Sequence, residues 1–284
     1  MVAQPREEDS APRAGRWRLG LVVLLAFLAV GLAAGISLRM YSERSEWSSV
    51  STAIGDYRRL PLSDGSTLEL NTATEVRYRL SEHVRLLDLT IGEARFRVAH
   101  DPSRPFVVFA GDTVVRAVGT EFTVRIRDNG KVDVVVAEGV VAVSHRERDS
   151  VIGELLYGLK IPLAGGTPIP EKRVLTDDRG RFSVAEMTRA RIEARDAWRN
   201  NLLVFEDMPL SQIVDEFNRY NRQKLEIAGS TLGIRRMGGR YQPRDVDRFL
   251  ENLSMVVSIR VVTEEGENGP VRRIHVAEQA GVTQ

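Results

Sequence analysis

The stretch Phe122-Thr123-Val124-Arg125-Ile126-Arg127-Asp128-Asn129-Gly130-Lys131-Val132-Asp133-Val134 decides how the middle of this chain folds. Phe122, Val124 and Ile126 alternate with Thr123, Arg125 and Arg127, a period of two that puts apolar side chains on one face of a strand. Asp128-Asn129-Gly130 supplies residues that tolerate positive φ, and Val132-Asp133-Val134 resumes the alternation, so the two arms predict an antiparallel hairpin. The pattern continues on both sides. Val76, Tyr78 and Leu80 alternate with Arg77 and Arg79; Asp64-Gly65 marks a tight turn between Tyr57–Leu62 and Thr67–Leu70; Gly92, Gly119 and Gly139 punctuate further short runs. Residues 47–145 are therefore expected to form an all-β unit, a sandwich, roll or solenoid-like sheet stack, between which periodicity does not choose.

C-terminal to this unit the signal changes. Residues 146–200 contain Gly153, Gly158, Gly165, Gly166, Pro162, Pro168 and Pro170 and read as a linker that adds at most a strand or two to the first unit. It ends in a connecting helix over Val184–Trp198, with Met187, Ala190, Ala194 and Ala197 on one side. Within 201–284, Leu210, Ile213, Val214 and Phe217, and again Val246, Phe249, Leu250 and Leu253, recur at helical spacing. Strands are expected at Leu202–Phe205, Lys224–Ile227, Ser258–Thr263 and Val271–Ala277. With one further strand between Lys224–Ile227 and the second helix, the order βαββαββ makes a small α+β domain with both helices on one sheet face.

At the other end, Leu19 to Leu38 is twenty residues without a charge, enough at about 1.5 Å per residue to cross an apolar layer of about 30 Å. A transmembrane helix over 19–38 is expected, with a cleaved signal peptide as the alternative because Gly31-Leu32-Ala33 and Leu32-Ala33-Ala34 offer small residues for processing. Arg13, Arg16 and Arg18 precede the span, whereas Arg39 and Arg44 follow it beside Glu43 and Glu46. That bias places the 1–18 tail in the cytoplasm and the rest outside. Gly31 and Gly35 stand at the small-xxx-small spacing that lets membrane helices pack.

Composition removes several function classes. The chain has 284 residues, 43% hydrophobic and 28% charged, which describes a folded protein. Forty Lys plus Arg against 39 Asp plus Glu leave a net charge of +1, so nothing draws it to nucleic acid. The absence of cysteine excludes thiolate metal sites and Cys nucleophiles, and the four scattered histidines offer no ligand spacing. No catalytic residue, metal or cofactor is expected.

Read in order, these residues resemble the FecR family of bacterial transmembrane signal transducers, the ferric-citrate regulator type. The resemblance spans about 47–284 and rests on Leu62-Ser63-Asp64-Gly65-Ser66 with Leu68-Glu69-Leu70-Asn71, Gly92-Glu93-Ala94-Arg95-Phe96-Arg97-Val98, Arg104-Pro105-Phe106-Val107-Val108, Val118-Gly119-Thr120-Glu121-Phe122-Thr123-Val124 and Glu138-Gly139-Val140. Trp198, Leu202–Phe205 and Met208-Pro209-Leu210 resemble the lead into the family's C-terminal domain, itself similar to the short N-terminal domain of secretins and signalling TonB-dependent receptors. Where the family usually has Gly three residues after the Trp, this chain has Asn201, the next most tolerant residue for left-handed backbone.

The resemblance implies a single-pass inner-membrane transducer with periplasmic C-terminal domains. Its implied partners are an outer-membrane TonB-dependent receptor and, directly or through another protein, an extracytoplasmic-function sigma factor. Eighteen residues before the span stand against several tens in the family's cytoplasmic anti-sigma segment, so direct sigma-factor binding is not carried over. An anchored periplasmic scaffold without transcriptional output is the rival reading. For partner capture the residues point to Leu202, Leu203, Val204 and Phe205, an apolar strand whose edge is expected to accept a strand from another protein.

Overall fold

The computed structural model describes residues 27–33, 47–145, 167–170, 172–176, 181–228, 230–266 and 269–276. In chain order the β-unit contains β1 (Ser48–Ser51), β2 (Arg58–Pro61), β3 (Thr67–Leu70), β4 (Glu75–Leu80), β5 (Arg85–Ile91), β6 (Glu93–Arg97), β7 (Phe106–Ala110), β8 (Thr113–Ala117), β9 (Glu121–Ile126), β10 (Val132–Glu138) and β11 (Val140–His145). It continues through β12 (Thr167–Pro170), β13 (Lys172–Thr176) and β14 (Phe182–Glu186). One seven-stranded sheet has the order β1-β4-β5-β7-β8-β11-β12 and the other β14-β13-β10-β9-β6-β3-β2. The chain passes back and forth between the two, so neither sheet is made of consecutive strands.

The alternation explains the core. Leu68, Leu70, Ala94, Phe96, Phe122, Val124 and Val134 from the second sheet meet Val76, Leu87, Leu89, Val108 and Val115 from the first, all at most 1% exposed. Phe96 stacks on Phe122 at 5.1 Å between ring centroids and meets Phe106 edge-on at 5.9 Å. The hairpin that opened the sequence argument is β9–β10, in register from Val132 opposite Ile126 to Val136 opposite Phe122, with Gly130 at φ 75° in its turn. Gly92, at φ 91° between β5 and β6, sits where the chain leaves one sheet for the other. A Cβ there would lie 2.7 Å from the Ala73 carbonyl oxygen, so both the conformation and the space select glycine.

The stretch 146–200 does more than link. Pro168 and Pro170 lie on β12, the edge strand of the first sheet, the place in a sheet where a residue without a backbone N–H is tolerated. β13 and β14 extend the opposite sheet. The helix expected over Val184–Trp198 is shorter. Val184 belongs to β14, Thr188 caps α1 (Arg189–Arg195), and a 3-10 helix covers Asp196–Asn200. Its buried residues are Ile192, Asp196 and Trp198 instead of the alanine face.

The C-terminal portion follows with β15 (Leu203–Pro209), α2 (Leu210–Tyr220), β16 (Lys224–Ile227), α3 (Ser230–Gly233), β17 (Arg236–Tyr241), α4 (Val246–Val256), β18 (Ile259–Gly266) and β19 (Gly269–Val276). The two helical spacings correspond to α2 and α4, which bury Leu210, Ile213, Val214 and Phe217 and Phe249, Leu250 and Leu253. The short α3 was not anticipated. Instead of one sheet there are two: β15 pairs antiparallel with β17, while β16 pairs parallel with β19 and β19 antiparallel with β18. Periodicity reports which residues make a strand; the partner of that strand is a non-local choice. Both small sheets and both long helices share a second apolar core, centred on stacked Phe217 and Phe249 at 4.6 Å.

The segment Met1–Glu46 forms a separate unit. Residues 27–33 are helical, and Phe27, Leu28, Val30 and Leu32 are exposed there. Among the described residues no helix is long and apolar enough to cross a membrane; most of the expected span 19–38, including Gly35, lies outside them, and a Cβ added at Gly31 would meet nothing within 4 Å.

A buried ion pair locks the turn at Asp64-Gly65. Gly65 takes φ 84°, and the Leu62 N–H donates to the Ser66 carbonyl at 2.8 Å. Asp64 receives the fully buried Arg85 guanidinium at 3.0 Å, which also donates to the Ala99 and Arg104 carbonyls at 2.9 Å. Arg85→Met leaves the Asp64 carboxylate buried with only Ser66 to serve it and is expected to cost about 3–5 kcal/mol in urea unfolding. Adding Asp64→Asn should recover part of that loss.

Candidate functional site

Alternation on β3, β6, β9 and β10 places Glu69, Asn71, Glu93, Arg95, Thr123, Arg125 and Asp133 opposite the apolar core. That is the position of a solvent face. In the structure Glu69, Asn71, Glu93, Arg95, Thr123 and Asp133 are instead at most 7% exposed. The cover is the chain from α1 through α2, which lies across this polar face and ties the C-terminal portion to the β-unit.

At the α2 end, four side chains close a charged network. Arg219 binds Glu93 at 2.8 Å and Glu216 at 2.6 Å, and Glu216 also receives Arg125 from β9 at 2.8 Å. Asn71 completes it, donating to Glu93 at 2.9 Å and to the Tyr220 hydroxyl oxygen at 2.8 Å, while Thr72 donates to the Arg219 carbonyl at 3.0 Å. Burial by itself raises a carboxyl pKa. For Glu216 the guanidinium groups of Arg219 and Arg125 outweigh it and take the carboxyl down to about 2. The Tyr220 hydroxyl is pushed well above its ordinary value, first by burial and then by the Glu216 charge.

At the α1 end, Asp133 is fully covered and holds three arginines: Arg127 at 2.8 Å, Arg173 at 2.7 Å and Arg195 at 2.9 Å. Burial opposes ionisation of Asp133, but these cations hold its carboxyl well below the usual range. Between the two ends, Asp196 pairs with Arg95 and accepts from Thr123 at 3.1 Å, Arg199 binds Glu69 at 2.6 Å, and Trp198 meets Tyr57 at 5.8 Å between rings. Asn201 then turns the chain into β15 at φ 55°, the left-handed conformation that the family's usual glycine would take.

The expected capture strand is partly committed elsewhere. Leu203 and Phe205 point into the C-terminal core at 5% exposure each, whereas Val204, half-buried, pairs with Arg240 on the opposite face. Leu202 precedes the strand and donates to the Ala197 carbonyl. The seam residues escaped sequence reading because a polar alternation in a strand looks the same under water as under a polar partner. The two family motifs that carry Glu69, Asn71, Glu93 and Arg95 were the available signal. Among the described residues no group of His, Asp or Glu is arranged to hold a metal ion.

Residues 48–142, which run from β1 into β11, match the family model described as FecR protein. The fold is similar to two crystal structures of a protein of Parabacteroides distasonis provisionally described as an anti-sigma factor. Both have a TM-score of 0.61 at 20% identity, covering 80% and 82% of this chain and 99% and 100% of the solved chains. No curated protein matches the chain.

The depressed Glu216 pKa fixes the sign of a pH effect. The contribution of that carboxylate to the seam is present above its unfolded value of about 4.3 and is lost as pH falls toward the folded value. In a chain with Trp17 and Trp47 replaced by Phe, Trp198 emission is expected to shift to the red between pH 5 and pH 2.5. Glu216→Gln should flatten that titration, and an unaltered curve would show that the seam does not depend on this charge.

Proposed function

We propose that this chain is a regulatory signal transducer of the FecR type that controls a sigma factor, directly or through a partner, by binding and not by catalysis. The observation that carries the reading is the FecR domain joined to a second portion through a charged seam. Two apolar cores held together mainly by ion pairs can be separated with little apolar surface exposed beyond Trp198 and its contact with Tyr57. A protein signal that competes for one portion therefore has a mechanical consequence for the other.

In this reading the C-terminal portion is the short receptor- and secretin-like domain, and it faces the periplasm. It takes its signal from an outer-membrane TonB-dependent receptor. The 19–38 segment anchors the chain in the inner membrane with the N-terminus inside. Capture uses the small sheet that contains Leu203, Val204 and Phe205, with backbone bonds supplying affinity. Support comes from the FecR match, the fold likeness to a protein described as an anti-sigma factor, and the uncharged stretch of sequence at 19–38.

Deleting the chain and sequencing transcripts checks the output. A coherent set of transcripts dependent on one alternative sigma factor is expected to change, and Arg219→Met, which opens the seam while leaving both cores intact, should reproduce the signalled or the locked state. An unchanged transcript profile would leave an anchored scaffold and remove the regulatory reading.

A further inference from the structure

The two-stranded sheet of the C-terminal portion pairs with no further strand among the described residues. β15 is flanked by α1 and is interrupted at Glu206-Asp207, where Asp207 takes φ 46° and the register shifts. Such a bulge spoils an edge for further pairing. β17 is different: its six residues, Arg236-Met237-Gly238-Gly239-Arg240-Tyr241, contain no proline, and β15 is its only strand neighbour among the described residues.

The two faces of β17 are distinct. Tyr241 is buried and Met237 half-buried against the second core, while Arg236, Gly238 and Arg240 face solvent. Arg236 is held by Asp207 at 2.9 Å. Arg240 makes no ion pair or hydrogen bond through its side chain among the described residues, and neither does the neighbouring exposed Arg235. The Gly238-Gly239 pair leaves the middle of the strand without side chains, so an approaching backbone and its substituents meet no obstruction there.

From this arrangement we propose that the free edge of β17 docks an extended acidic segment of a protein partner as a third strand. The proposal rests on the receiving role argued above and names the surface and the chemistry of what is received. In either strand direction the residues opposite Arg236 and Arg240 lie four apart and on the outer face, so carboxylates belong there. The residues opposite Met237 and Gly239 lie on the inner face and are apolar. The same charges select against a second copy of this chain: pairing two β17 strands antiparallel about Gly238 sets Arg236 against Arg240 twice, a like-charge contact directly across strands.

The test uses the full chain and a fluorescein-labelled nine-residue peptide, with glutamates at positions three and seven, valines at four and six, and threonines elsewhere. Binding is read by anisotropy at low salt. Arg240→Glu, at an exposed side chain without a partner, is expected to keep the thermal midpoint and to weaken this peptide about tenfold, or ~1.4 kcal/mol. A peptide with lysines in place of the glutamates should show the reverse preference. N-methylation of alternate amides along one edge of the peptide should abolish binding, and methylation along the other edge should leave it intact.

Indifference to Arg240→Glu, or binding that survives methylation of each edge in turn, overturns the strand-addition proposal. Self-association of the chain that Arg240→Glu strengthens would assign the edge to a second copy and overturn it too. These outcomes are separate from the transcript measurement: a regulator whose output ignores Arg240→Glu keeps its function and loses this docking edge, whereas an edge that binds in a chain without transcript effects keeps the edge alone.

Discussion

Everything C-terminal to β14 depends on one constraint: the outer face of the β14-to-β2 sheet is polar, and it is nonetheless covered. Carboxylates and guanidiniums taken from water must find partners, and here they find them both within the sheet and across the seam. Asp133 gathers Arg127, Arg173 and Arg195, and Glu93 and Glu216 share Arg219 and Arg125. Replacing such a network by apolar side chains is often neutral or stabilising, whereas removing one partner is costly. The network therefore sets geometry: with each charge matched to between one and three others, α1 and α2 can sit on the sheet in one place.

That geometry bears on signalling. The first core closes between the two large sheets, and the second closes within the C-terminal portion; Tyr57 against Trp198 is the aromatic contact between them. A joint made of ion pairs and hydrogen bonds responds to competing charge, ionic strength and pH far more than an apolar joint does. The free edge of β17 and the seam belong to one small body, whose second apolar core connects α2 at the seam to β17 at the edge. A partner bound at the edge thus acts on an element that also carries Glu216, Arg219 and Tyr220.

Much of the local structure was legible. The Phe122–Val134 hairpin, the Asp64-Gly65 turn and the two helical spacings at Leu210–Phe217 and Val246–Leu253 all declare themselves, because each is a short-range pattern with a direct backbone consequence. Three things were not. Only a strand or two was read into the segment that forms β12 to β14, since β12 is an edge strand that tolerates the prolines that usually signal loops. The two small sheets were read as one, since strand partners are chosen over tens of residues. The site was missed altogether, because Glu93, Arg125 and Asp133 look like a wet surface until something is known to lie on them.

By itself, then, the sequence determined most strands of the β-unit, its tight turns, the two long helices and the side chains those helices bury, because these follow from periodicity and backbone preference. Tertiary structure alone decided that the polar face of a sheet is an internal joint, that Leu203 and Phe205 are core residues and that β17 carries the open edge. Those facts depend on what packs against what, and a charge pattern has the same appearance whether its counter-charges come from water or from another part of the chain.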